Sequence, residues 1–147
     1  MNWRHLFLGF SGRTSKRDFW IGFAALFAAG FVASLLPLVG TLASLALIYP
    51  WTALMAKRLH DFGRSGWLVL APAVPAALSG VLALYGALAM SNAATMGAAL
   101  ATAGLALLVS TVAMLIGLGF LLWVGLKAGD AGPNAYGQAP ADTPLIV

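Results

Sequence analysis

No cysteine occurs among the 147 residues, which removes disulfides, thiolate metal sites and a Cys nucleophile and leaves the redox compartment unread. Charge is nearly as scarce. Only 8% of residues are Asp, Glu, Lys or Arg, against about a quarter in a soluble domain that depends on them for its surface. Two histidines, His5 and His60, are too few for a usual zinc site of three or four ligands, and no HEXXH motif is present. A G-x-S-x-G nucleophile elbow is also missing. The sequence therefore gives no catalytic residues, no metal site and no cofactor.

What fills the chain instead is apolar, with 61% hydrophobic residues. Between Arg64 and Lys127 lie 62 residues in which Tyr85 is the only ionisable side chain. One crossing of a hydrocarbon layer takes about 20 helical residues, so this run holds at least two. Four apolar segments emerge, at about 19–36, 40–56, 67–90 and 98–126. They predict an all-α integral membrane protein with four transmembrane helices, a single membrane domain over 1–140 and a flexible tail at 141–147. Pro37 and Gly40 turn the first segment into the second. SNAAT at 91–95 divides the third from the fourth. Pro50 predicts a kink in the second helix. Pro72 and Pro75 suggest a fifth span, but membrane helices tolerate proline where neighbours satisfy the freed carbonyls.

Charge placement tests this division, because Lys and Arg concentrate in short cytoplasmic loops. Arg4, Arg13, Lys16 and Arg17 precede the first segment, Lys57, Arg58 and Arg64 fill the central loop, and Lys127 follows the last. All eight cations fall on one side, so both termini and the central loop are expected in the cytoplasm. The formal charge of +4 and pI near 10 thus encode topology. A nucleic-acid partner would need a basic face on a soluble module. Trp20, Trp51, Trp67 and Trp123 sit near the same ends and read as interface anchors. Trp3, Leu6, Phe7 and Phe10 recur at helical spacing and suggest a short N-terminal helix lying in the headgroup plane. Asp18 and the length of the basic region before the first span mark that span as an uncleaved helix rather than a signal peptide. Small residues supply packing seams, Gly22, Ala25, Ala29 and Ala33 in the first helix and Gly97, Ala101 and Gly104 in the fourth. They serve contacts within one chain or in a homo-oligomer.

Three polar blocks converge on the cytoplasmic side: GRTSKRDFW at 12–20, KRLHDFGRSGW at 57–67 and KAGDAGPNAYGQAP at 127–140. With the apolar spans between them, these blocks resemble the domain of unknown function 805 family of small bacterial inner-membrane proteins. The likeness runs over about residues 3–140. Its most specific part is Arg58, Leu59, His60, Asp61, Gly63, Arg64, Ser65, Gly66 and Trp67. Gly12, Arg13, Phe19 and Trp20 match the first block, and Gly132, Asn134, Tyr136 and Gly137 the tail. Lys16, Leu68 and Ala135 depart from the residues usual in that family. The resemblance implies a multi-pass bacterial inner-membrane protein and supplies no reaction.

Arg13, Lys16, Arg17, Arg58, His60, Asp61, Arg64, Ser65, Asn134 and Tyr136 are the candidate residues for binding an acidic lipid headgroup, another anion or a partner protein. Cations at a cytoplasmic membrane surface attract acidic lipids at about 1 kcal/mol each, and a turn between Gly63 and Gly66 presents backbone N–H groups to an anion. The plainer alternative is that the cations only orient the protein while Asp61 pairs with Arg58 or Arg64. His60 is expected to bond at the helix end, to Asp61 or a tail carbonyl, and Tyr136 to stack on Arg58 or Arg64. A second functional class, an oligomeric small-solute transporter or channel, would rely on neutral hydroxyls such as Thr52, Ser79, Thr102, Ser110 and Thr111, because no ionisable residue is expected at mid-membrane depth.

Overall fold

The computed structural model describes residues 3–90 and 96–140. The expected break at 91–95 and the expected tail at 141–147 lie outside these residues. Among those described, every regular element is helical. α1 is Trp3–Phe7, α2 Lys16–Ser34, α3 Pro37–Asp61, α4 Leu70–Ala89 and α5 Met96–Leu126, and a single 3-10 turn, Gly66–Val69, leads into α4. Among the described residues, three helices are long and apolar enough to cross a membrane: Lys16–Ser34, Gly66–Ala89 and Met96–Leu126. The expected second span falls within α3, whose last five residues, Lys57–Asp61, carry four ionisable groups.

Local chemistry fixes the helix ends. The Ser15 hydroxyl accepts the Asp18 amide at 3.2 Å, capping α2, and Asp18 in the first turn complements the positive end of the helix dipole. α3 opens on Pro37, whose missing N–H is no loss at that position. It closes at Gly63, where φ is 69°. There the Gly63 amide donates to the His60 carbonyl at 3.1 Å and the Arg64 amide to Leu59 at 2.9 Å, a closure that needs a residue tolerant of left-handed dihedrals. Pro50 and Pro75 lie inside α3 and α4 without ending them, so no span boundary forms at the third segment's prolines.

The chain divides into two units, one running to Val69 and resuming at Trp123, the other spanning Leu70–Leu122. In the first, α2 and α3 form an antiparallel hairpin. Gly22 meets Leu54 and Leu6, and Gly30 meets Leu47. The packing face of α2 is therefore Gly22, Leu26 and Gly30, and Ala25 and Ala29 point outward; a four-residue step from Gly22 follows the seam, whereas the expected three-residue step rotates away from it. In the second unit Gly86 of α4 lies against the backbone of α5 at Ala99 and Ala103. Ala99, Ala106 and Ala113 are buried at seven-residue intervals, two helical turns apart, while Gly97, Ala101 and Gly104 are exposed. The expected α2 seam thus reaches α3 through Gly22 and Ala33 but not through Ala25 and Ala29, and the expected α5 seam makes no contact within the described chain. Large apolar side chains such as Phe27, Phe31, Leu45, Leu107 and Met114 are more than 45% exposed, a surface that suits lipid rather than water.

Candidate functional site

Arg13, Thr14, Ser15, Lys57, Arg58, His60 and Asp61 are the buried polar and charged residues among those described. All come from the first two polar blocks, and the tail packs over them. Three cations and one acid are an unbalanced set to remove from water. The helices supply what is missing: α1, α3 and α5 each offer a C-terminal end, where unpaired carbonyls carry partial negative charge.

The cations divide these ends between them. Lys57, fully buried, donates to the carbonyls of His5 and of Leu6, the latter at 3.0 Å, and so caps α1. Its neighbour Arg58 caps α5, donating from Nε to Val124 at 3.1 Å and from Nη2 to Lys127. The Trp20 indole N–H takes the Gly125 carbonyl in between at 3.2 Å. Trp20 therefore completes the end of α5 in addition to any anchoring role. The end of α3 is met from both other blocks. Its Lys57 carbonyl accepts the Thr14 amide at 3.3 Å, and its Asp61 carbonyl accepts the Asp130 amide at 2.8 Å.

Arg13 and Asp61 join the blocks. Arg13 Nε donates to Asp61 Oδ1 at 3.1 Å, and Nη2 reaches the Asp61 carbonyl at 3.1 Å. The same guanidinium takes three tail carbonyls: Asp130 at 2.5 Å, Gly132 at 2.7 Å and Gly137 at 3.3 Å. Asp61 Oδ2 accepts from Arg58, so one carboxylate bridges two guanidiniums. Burial pushes the Asp61 carboxyl above its ordinary value, and the Arg58 and Arg13 charges pull it back. Burial likewise lowers the Lys57 ammonium. The tail crosses this carboxylate at Gly129, where an added Cβ would collide with Asp61 Oδ2.

His60 and Tyr136 stack face to face, with centroids 3.9 Å apart and planes 4° from parallel. The expected partner for the tyrosine, Arg58 or Arg64, is replaced by this histidine: the Arg58 guanidinium is turned toward carbonyls and Asp61, and Arg64 lies exposed. His60 Nδ1 meets the Gly12 carbonyl at 3.2 Å, in the first block rather than the tail. Burial lowers the imidazole below its ordinary value, partly opposed by that carbonyl. Asn134 donates to the His60 carbonyl and to Asp130, both at 2.9 Å, and its own side-chain oxygen accepts the Tyr136 amide. Reciprocal backbone bonds of 3.0 Å between Asn134 and Gly137 close the tail turn.

Arg13, Arg58, His60, Asp61, Asn134 and Tyr136 are thus brought together, whereas Lys16, Arg17, Arg64 and Ser65 lie exposed. Ser65 Oγ accepts the Trp67 amide at 3.4 Å, and Trp67 itself is 80% exposed. Trp51 packs edge-on against Phe23, and Trp123 with Phe62 borders the Lys127 ammonium. Asp61 pairs with Arg58, as one expectation had it, and also with Arg13. Lys57, Gly129 and Asp130 were missed as site members. The adjacency of Lys57 to Arg58 and the glycine beside Asp130 were the available signals. Among the described residues, no three His, Cys, Asp or Glu side chains gather as a metal would require. The hydroxyls of Thr52, Ser79, Thr102 and Thr111, expected to line a polar path, donate to carbonyls three or four residues back in their own helices.

The sequence pattern of a family described as protein of unknown function (DUF805) matches residues 7–138. No curated protein and no solved structure matches. The match takes in all three polar blocks up to Gln138, so every residue of the knot except His5 and Leu6 falls within it. The chain belongs to this family.

Proposed function

We propose that this member of the family is a four-span protein of the bacterial inner membrane, with both termini and the central loop in the cytoplasm. We further propose that its role is to engage acidic lipid headgroups through the cations around the polar knot. Supporting the topology is the meeting of residues 13, 61 and 130 at one place. The chain leaves this place in α2 and comes back in α3, then leaves at Val69 and comes back at Trp123. Each excursion therefore contains an even number of crossings. α3 serves as the second span through its apolar portion ahead of Lys57.

The observation that carries the lipid reading is the split among the cations. Arg13, Lys57 and Arg58 are buried and directed at protein acceptors, whereas Arg4, Lys16, Arg17, Arg64 and Lys127 are exposed. A cation whose donors face carbonyls has little left for a phosphate; an exposed one near an anionic surface contributes on the order of 1 kcal/mol. The headgroup contacts therefore belong to the exposed set, and Arg58 is a structural residue. Purification in native lipid followed by mass spectrometry tests this. Combined Lys16→Gln, Arg17→Gln and Arg64→Gln substitution is expected to strip retained phosphatidylglycerol or cardiolipin while leaving the fold intact. Retention equal to that of the parent protein would defeat the proposal.

A further inference from the structure

The N-terminal segment follows a path that headgroup anchoring alone does not explain. Lys57 holds the end of α1 through the His5 and Leu6 carbonyls. Leu6 is buried, and Gly22 packs against both it and Leu54; Leu54 lies three residues before Lys57, about 4.5 Å further along the helix at 1.5 Å per residue. The chain then continues away from the knot. The Gly9 amide donates to the Tyr49 hydroxyl at 3.1 Å, and the Phe10 ring meets the Tyr49 ring edge-on with centroids 5.4 Å apart. Tyr49 lies eight residues before Lys57, about 12 Å along α3, and two residues deeper than Trp51. Gly9, with φ of 88°, reverses the chain, and Gly12, with φ of 89°, returns it to His60.

The residues at the turn are apolar and unpacked on their outer side. Leu8 is 61% exposed, Phe10 43% and Trp3 49%. Their surface is continuous with that of α3, where Leu45, Ile48 and Tyr49 are also exposed. A backbone N–H at a wet surface has water to bond; one in hydrocarbon needs a protein acceptor, and the Tyr49 phenol supplies it for Gly9. On the membrane orientation given under Proposed function, we propose that Trp3–Phe10 is a re-entrant wedge whose tip, Leu8–Phe10, sits among the acyl chains of the inner leaflet. Its occupant surface is lipid tail, not headgroup and not a protein partner. The wedge adds cross-section to the protein in the inner leaflet only.

The cysteine-free chain permits a direct test with single nitroxide labels at Leu8→Cys, Phe10→Cys, Leu45→Cys and Arg64→Cys, each in the full-length protein in phosphatidylethanolamine–phosphatidylglycerol vesicles. Collision with oxygen, which partitions into lipid, is compared with collision with a water-soluble nickel chelate. The oxygen-to-nickel ratio at Leu8 and Phe10 is expected to be several-fold above that at Arg64 and to approach that at Leu45. A ratio at Leu8 and Phe10 equal to that at Arg64, with Leu45 lipid-like, overturns the wedge and leaves the membrane orientation standing. A water-like ratio at Leu45 overturns both.

Discussion

Replacing Asp61 with Asn keeps the shape of the side chain and removes the one negative charge between two buried guanidiniums. The side chains of Asp61 and Arg13 are 2% and 1% exposed, and Arg58 is buried to the same degree. Breaking a buried ion pair by removing one partner costs about 3–5 kcal/mol, mostly because the remaining charge is left unpaired. The Asn amide nitrogen would also face a guanidinium donor, adding a mismatch of about 1–3 kcal/mol. Against this, both arginines keep their carbonyls, and a helix C-terminus is worth about 0.3–1 kcal/mol to a cation. A net loss of about 3–8 kcal/mol is expected, read from reversible unfolding in mixed micelles with helical content as the signal. Arg64→Gln, on the exposed side of the same loop, should stay within about 0.5 kcal/mol of the parent. Because Arg13 and Asp61 share one network, Arg13→Met combined with Asp61→Asn should cost less than the sum of the two, with coupling of about 0.5–3 kcal/mol. Additive effects, or an Asp61→Asn loss no larger than that of Arg64→Gln, would refute the bridging role of this carboxylate.

Two further outcomes follow from the same geometry. Gly129→Ala drives a methyl group into Asp61 Oδ2, and since the carboxylate is held from both sides the tail must move, at about 1–3 kcal/mol; hydrogen exchange at the Asp130 amide should accelerate, and unchanged protection would contradict the close crossing. Burial holds the His60 imidazole below its ordinary value of 6.5, so on acidification through that value the unfolded chain takes up a proton before the folded one, and stability falls with pH until the folded imidazole also titrates. His60→Gln should remove that component from the pH profile between about pH 6.5 and the onset of carboxyl titration, and an unaltered profile would exclude His60 as its source.

The long apolar helices and the polar blocks were legible in the sequence for simple reasons. An ion-free run of 62 residues has few foldings other than helices in lipid, and seven of the eight cations in three blocks leave little freedom in how the blocks are grouped. Which guanidinium met which acceptor was not legible. Arg13, Arg58 and Arg64 are the same residue type, and their fates depend on whether carbonyls lie within reach, a fact set by the end of α5 for Arg58 and by the end of α3 and the tail for Arg13 rather than by the neighbours of each arginine. Tyr136 on His60 belongs to the same class, since Arg58 faces carbonyls and Asn134 ties the tail turn to the His60 carbonyl. The packing seams were only partly legible for a different cause. In α2 and α5 small residues occur on several faces, and periodicity alone does not choose among them. Gly9 and Gly12 gave a hint of the N-terminal reversal, but only the Tyr49 contacts show where the chain goes between them.

Adjacent Lys57 and Arg58 grip the first helix and the last, and this sets a timetable for biosynthesis. Seventy-six residues separate Asp61 from Gly137 (137 − 61), and a ribosome adding about 5–20 residues per second needs roughly 4–15 s to make them. Throughout that interval the early hairpin stands in the bilayer with its guanidiniums short of their final acceptors. The nascent chain completes this polar network only when residues 130–137 arrive, so the end of α3 waits for a segment made long after it.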